Sequence, residues 1–271
     1  MMPRLRLNAA LGGLLVGFLA LVIALGLVWM PYNPIAIDLD HPLTRPGWAH
    51  WFGTDEFGRD VLSRAMLGAR ISVSIALGTV VVAIMAGTAL GLLAGFMRGW
   101  TDRLLMTVND AILAFPGILL ALAVIAVVGP SRGSIVLALG IAYLPSVVRV
   151  VRAAVLSIRE REYVEASRVA GDGVLYTMLR HVLPNALPPI IVLATSLFGW
   201  VVLSESALSF LGVGVPPPAP SWGNMLSSAR PYMETASWLS IVPGLCIAAT
   251  LLGINLLGDA LRDLLDPRSG S

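Results

Sequence analysis

Ser204 and Glu205 stand side by side near one end of an apolar run, the closest this chain comes to a nucleophile beside a base. Hydrolytic or transfer chemistry needs the base within hydrogen-bond reach, and most often uses histidine. The three histidines, His41, His50 and His181, all fall in predicted loops, so no apolar run offers the serine a partner. The single cysteine, Cys246, lies inside an apolar run and reads as a small buried side chain; alone it makes no internal disulfide and no cysteine zinc site. Nucleotide chemistry is excluded more sharply. A P-loop needs G-x-x-x-x-G-K-[ST], whose lysine reaches the phosphates, and all 18 basic residues here are arginine. Anything this chain drives with ATP must use nucleotide bound by another polypeptide. No catalytic, cofactor-binding or metal-ligating residue is predicted, and the chain reads as a non-enzyme.

The elements that position these residues are membrane spans. Hydrophobic residues make up 57% of the 271 and charged residues 13%, about half the roughly 25% usual in soluble domains. Apolar runs near the ~20 residues that cross a bilayer fall at 11–30, 71–96, 111–129, 134–148, 188–203 and 238–258, giving six predicted helical spans. The first has a basic flank in Arg4 and Arg6 but a longer apolar core than a cleaved signal, so it reads as a retained anchor. With both termini in the cytosol, Arg4, Arg6, Arg98, Arg103, the arginines from Arg149 to Arg180, Arg262 and Arg268 lie inside. Arg45, Arg59, Arg64, Arg70, Arg132 and Arg230 lie outside, a bias that follows the positive-inside rule. Topology accounts for the arginines, so a net charge of +2 gives nucleic-acid binding no support.

Within the spans, Gly87, Gly91 and Gly95 recur every four residues and lie on one helix face, where a neighbouring helix can approach closely. Pro116, Pro145 and Pro243 are predicted to kink their spans. Asp110, Glu205 and Asp259 sit at span ends, within reach of headgroups or water, and read as structural. The chain divides into 1–70, the first span with an external segment; 71–263, a core of five spans with a cytosolic loop at about 152–187; and a tail, 264–271.

The cytosolic loop holds the most informative spacing: Glu165-Ala166-Ser167, three residues, Gly171, nine residues, then His181-Val182-Leu183-Pro184. Residues 152–170 favour one helix with acid–arginine pairs. Gly171 is predicted to break it, and Asp172 to cap a second helix that Pro184 ends. Val174, Leu175, Met178, Leu179 and Val182 give that second helix an apolar stripe, suited either to the bilayer interface or to a partner's groove. Outside, Gly53, Thr54 and Asp55 are predicted to turn and cap a helix whose apolar face is Val61, Leu62, Ala65, Met66 and Ala69. That helix reads either as an interfacial element or as a ledge that gates substrate or docks a partner. The loop from Val215 to Pro220, with four prolines, is stiff and external.

The 165–184 spacing resembles the EAA loop of ABC-importer permeases, E-A-A-x3-G-x9-I-x-L-P, with Ser167 at the second alanine and His181 at the isoleucine. The run from Phe52 to Arg64, with Gly53-Thr54-Asp55 and Gly58-Arg59-Asp60, is similar to a segment of dipeptide, oligopeptide and nickel permeases. Ala114-Phe115-Pro116, Ser209 to Val215, Pro220-Ser221-Trp222-Gly223, Asn255 to Asp263 and Leu265-Asp266-Pro267 look like the same subfamily. Thr107 departs from it, standing where relatives often carry arginine.

The resemblance implies an all-α membrane protein of the type I ABC importer permease architecture, in a bacterial or archaeal cytoplasmic membrane. It implies a second homologous permease subunit, two cytosolic ATPase subunits holding ATP and magnesium, an external substrate-binding protein, and surrounding lipid. Glu165, Ala166, Ser167, Gly171, Leu183 and Pro184 would couple to the ATPases: Glu165 as charge at the dock, Ala166 and Ser167 as close contacts, Gly171 as the turn. Gly53, Asp55, Gly58, Arg59 and Asp60 would form an external gate or docking site. Di- or oligopeptides are the expected cargo, with nickel as the alternative; a secondary transporter or channel is the competing class, but no mid-membrane charge favours it.

Overall fold

The computed structural model describes the backbone of residues 2–265, with side chains from residue 7 onward. The side chains of Arg4 and Arg6, and the predicted tail from Asp266 onward with Pro267 and Arg268, lie outside the described residues. Ten α-helices are described: α1 (Met2–Val28), α2 (Val61–Met97), α3 (Gly99–Leu113), α4 (Gly117–Val128), α5 (Arg132–Ile158), α6 (Glu162–Val169), α7 (Val174–Thr177), α8 (Leu183–Phe210), α9 (Trp222–Ala229) and α10 (Trp238–Leu265). A π-helical turn, Met178–Val182, makes α7 and α8 one continuous rod. Strand-like pairing among the described residues is confined to one bridge between Thr54 and Asp60.

The glycine face of α2 is the spine of the bundle. A Cβ built on Gly87, Gly91 or Gly95 would lie 2.6, 2.7 or 2.8 Å from the Cβ of Val147, Val151 or Val155, so each valine of α5 fills a hole that only glycine leaves. Nearer the start of both helices, Gly78 faces Val136 and Gly140 faces Val82. Residue numbers rise together along the contact, so α2 and α5 run parallel. This packing fixes the rest of the topology. The chain leaving α2 at Met97 must return along the bundle before α5 starts at Arg132, and α3 and α4 make that return with an 89° bend between them.

The bend corrects the third predicted span. The run 111–129 is not one kinked helix: α3 closes at Ala114, whose amide donates to Asp110 O, and Pro116 opens α4. Alone, the 12 residues of α4 rise about 18 Å, too little for a hydrocarbon core of ~30 Å. Counted with α3 they complete six crossings, the third of them broken. Other helices outrun their apolar cores. α2 begins at Val61 instead of 71, and its 37 residues rise about 55 Å. α5 continues past 148 because its arginines find partners on α3: Arg152 holds Asp102 with two bonds of 2.6 and 2.7 Å, and Arg149 holds Asp110 at 2.8 Å. Thr107 takes no part in these pairs and donates to Arg103 O within its own turn.

Pro145 and Pro243 lie inside α5 and α10 as expected, and Pro188 and Pro189 lie inside α8. α1 is peripheral. It packs mainly on α10, where Gly12 meets the backbone of Leu257 and Gly253 meets Leu15, and among its described side chains Leu14, Phe18 and Leu21 stand exposed. Gly91→Val is expected to force α2 off α5 and cost roughly 2–3 kcal/mol, read as a lower thermal unfolding midpoint in detergent. Gly13→Val, on α1 with nothing within 4 Å, is the comparison expected to change nothing; equal midpoints for the two variants would sink the close-packing account.

Candidate functional site

The α6 end of the bundle carries the predicted coupling residues. One helix over 152–170 was expected there. Instead α5 stops at Ile158, because Arg159 turns back to α2 and its Nη1 donates to the carbonyls of Phe96 (2.7 Å) and Gly95 (3.3 Å). After the turn, α6 presents Glu165 and Ala166 to solvent. Ser167 is buried, so its contacts are internal to the loop: Oγ donates to Asp172 Oδ2 at 2.6 Å and lies 3.1 Å from Thr177 Oγ1. Asp172 therefore braces α6 and does not cap the next helix; Gly173 is the N-cap and makes no side-chain bond.

Gly171 is exposed and has φ +88°, in the left-handed region. Its amide donates to Arg168 O and the next amide, of Asp172, donates to Ser167 O, a Schellman turn that glycine makes without strain. Beyond it, Pro184 does not end the helix. The amide of Leu183 reaches back five residues to Met178 O, and this widened turn relieves the crowding that a proline ring imposes on the preceding turn. His181 sits in this π turn, not in a loop, with its ring edge-on to Tyr176 at 5.9 Å. Leu183 is half-buried and Pro184 exposed. The apolar stripe is split: Met178 and Val182 face the core, while Val174, Leu175 and Leu179 stand exposed, as does Val169 on α6.

At the opposite end of α2, the structure gathers Gly53, Asp55, Gly58, Arg59 and Asp60, but turns them inward. Asp55 Oδ1 accepts from the amides of Phe57 (2.9 Å) and Arg59 (3.0 Å), and Oδ2 from Arg59 Nε (2.6 Å), with Arg64 Nε at 3.2 Å. Asp60 caps α2, accepting from the Ser63 amide (2.8 Å) and hydroxyl (2.7 Å), and its other oxygen meets His50 Nδ1 at 2.9 Å. The cap is thus Asp60, not the turn at 53–55, and the expected separate helix is the first part of α2. Gly53 (φ +73°) is pressed against Thr44 O and the Trp238 ring, and Gly58 (φ +72°) against the backbone of Asp38. Burial holds the Glu56 carboxyl above the usual carboxylate range, while a hydrogen bond from His41 holds that of Asp38 below it. What this segment exposes is apolar: Trp48, Trp51, Phe52 and Phe57.

Glu205 departs furthest from expectation. It does not reach water; it is fully buried between α2, α8 and α9. Ser209 Oγ donates to Glu205 Oε1 (2.8 Å) and Ser72 Oγ to Oε2 (3.2 Å). Each hydroxyl is engaged again from α9: Ser221 Oγ lies 3.3 Å from Ser209 Oγ, and the Trp222 amide donates to Ser72 Oγ at 3.2 Å. Trp222 Nε1 adds a bond to Ala65 O at 3.2 Å, and Ser221 caps α9 in a capping box with Asn224. Ser204 turns away from Glu205 to the Tyr143 hydroxyl at 2.7 Å, so no nucleophile–base pair forms. Asp110 and Asp259 do lie at exposed positions. A readable signal existed for the cage: Glu205 and Ser209 are four apart on one helix, and Ser221-x-x-Asn224 spells a helix start.

A helical bundle with spans long and apolar enough to cross a membrane, a buried polar cage at one end and a braced pair of short helices at the other, is the architecture of an integral membrane subunit. The chain belongs to the family described as binding-protein-dependent transport system inner membrane component, which matches residues 87–271. It is 48% identical to the di/tripeptide transport system permease protein DppC of Pseudomonas aeruginosa, over 96% of this chain and 88% of that protein. It is 42% identical to the glutathione transport system permease protein GsiD of Pectobacterium atrosepticum, over 88% of this chain and 80% of that one. Among solved structures, a chain of the MetNI methionine ABC transporter in inward-facing conformations superposes with a TM-score of 0.60 at 19% identity, covering 73% of this chain and 94% of that chain. An amino acid ABC transporter chain superposes with a TM-score of 0.53 at 18% identity, covering 75% and 93%. These likenesses establish the type I importer permease fold.

Proposed function

We propose that this chain is one of two permease subunits enclosing a pathway across the bacterial cytoplasmic membrane, and that its cargo is di- or oligopeptides. Two cytosolic ATPases, holding ATP and magnesium, and an external substrate-binding protein complete the assembly. The observation that carries the reading is the unit formed by α6, the Gly171 turn and α7. Its Schellman turn and its internal Ser167–Asp172 and Ser167–Thr177 contacts make it stiff, while Glu165, Ala166 and the outer apolar side chains are left free for a partner's groove. Because α7 continues into α8, a push at Val174 is delivered along a rod that runs to Phe210. With the bent pair of α3 and α4 counted as one span, six spans would leave both termini on one side of the membrane, and the arginine distribution favours the cytosol for that side.

The relatives' names support small peptides over nickel as cargo. Uptake of a labelled dipeptide and of radioactive nickel, in cells with and without this chain, tests the reading. Loss of peptide uptake alone is the expected result. Loss of nickel uptake alone would overturn the cargo and keep the mechanism; no change in either would overturn both.

A further inference from the structure

α6 is tied by the chain to α5 and, through α7, to α8, and both of those helices carry prolines within them. α2 carries none over its 37 residues, so it is the stiffest long element whose end lies at this side of the bundle. At that end the last carbonyls of α2 have no partners within the helix. The amide of Arg98 takes Ala94 O, and Arg159 Nη1 takes Gly95 O and Phe96 O. The guanidinium of Arg159 also lies 5.8 Å from the centre of the Phe96 ring, and that of Arg168, on α6, lies 4.7 Å over it. Phe96 is buried, so the ring is enclosed, while Arg168 belongs to an exposed position on the short helix. An Arg98–Glu160 ion pair of 2.6 Å adds little, because both partners are exposed.

We propose that Phe96, held by Arg168 of α6 and Arg159 of the α5–α6 turn, is the joint that passes movement of the short-helix unit into α2, making Phe96 and Arg168 positioning residues for transport. The inference rests on the coupling role given to that unit above. Its force comes from where the rest of α2 leads. The helix runs unbroken from Phe96 to Val61, and at its far end Ala65 and Ser72 are bonded to Trp222 of α9, with Ser72 also bonded to Glu205. A displacement received at Phe96 therefore arrives at α9 without passing a proline. Cation–π contact suits such a joint, since a guanidinium can tilt on a ring face without losing the attraction.

The test uses the complete transporter, this chain with its own partner subunits, in proteoliposomes, measuring peptide uptake per ATP hydrolysed. Phe96→Leu keeps apolar bulk and removes the ring; Arg168→Gln removes the cation; Arg168→Lys restores it. The first two are each expected to lower uptake per ATP about three- to tenfold, a range set by the strength of such contacts, with assembly and basal hydrolysis unchanged. The double variant is expected to be no worse than either single one, and Arg168→Lys to recover most of the loss. Glu165→Arg, at the exposed face of the same unit, runs beside them. If Glu165→Arg uncouples and Phe96→Leu and Arg168→Gln do not, the joint is wrong and the coupling reading stands. If none of the three uncouples, the coupling reading itself falls. Loss of assembly in Phe96→Leu together with full coupling in Arg168→Gln would make Phe96 a packing residue only and reject the joint.

Discussion

Gly171→Asp is expected to leave the subunit folded and inserted while reducing uptake by roughly tenfold or more, equivalent to losing at least ~1.4 kcal/mol of coupling. The first half follows from geometry. Gly171 is exposed, with nothing within 4 Å of where a Cβ would stand, so the substitution meets no clash. Its φ of +88° costs an L-residue about 1–2 kcal/mol, and aspartate is among the side chains that bear it best. The second half follows from placement. A new carboxyl at the apex of the turn would join Glu165 and Asp172 on the surface offered to a partner, adding negative charge where the fit must be close. A graded series separates strain from docking. Gly171→Asn tolerates the same backbone without the charge and should retain more uptake than Gly171→Asp. Wild-type uptake by Gly171→Asp, at normal abundance in the membrane, would remove the loop's assigned role.

Glu205→Leu should cost more stability than any other single change at the α9 end, roughly 3 kcal/mol or more. It keeps side-chain bulk but strands the Ser72 and Ser209 hydroxyls, and a buried donor without an acceptor costs about 1–3 kcal/mol. Glu205→Gln retains one acceptor oxygen and should cost about half as much. Removing both hydroxyls with the carboxyl, as Ser72→Ala and Ser209→Ala in the Glu205→Leu background, should recover part of the loss. Thermal unfolding in detergent reads the series. The cage has no structural role if Glu205→Leu melts with the wild type, or if the added alanines make matters worse by as much as they do alone.

The cage also shows where sequence reading stopped. The apolar spans, the glycine face on α2 and the turn at Gly171 were legible, because each depends on periodicity or on a residue's own backbone preference; the inward side of Met178 and Val182, on a stripe read as exposed, was not. Nor was the burial of Glu205: Ser209 stands only four residues on, but Ser72 and Ser221, which complete the surroundings, are distant in sequence and individually bland. The same holds for Asp55 and Asp60. Their spacing marked a special segment, but only the fold reveals that Arg59, Arg64, Ser63 and His50 consume them internally and leave the nearby tryptophans and phenylalanines on the surface. Helix ends were misjudged for a related reason. Apolar runs stop where charges begin, yet Arg152 finding Asp102 lets α5 run on, and Arg159 finding α2 is what stops it. At Pro184 a π turn overrode a rule that holds for ordinary α-helix.

The valines and glycines between α2 and α5 bear on motion as well as on packing. Both repeat every four residues, like the teeth of a rack and the gaps that receive them. A slip of one, two or three residues would drive Val147, Val151 and Val155 against the side chains between the glycines. Only a slip of a full repeat, about 6 Å along the axis, brings teeth and gaps back into step, and even that leaves one tooth unseated. Gradual sliding is therefore closed to this pair: α2 and α5 travel as a single beam, and any smooth rearrangement of the pathway must occur at the contacts of other helices.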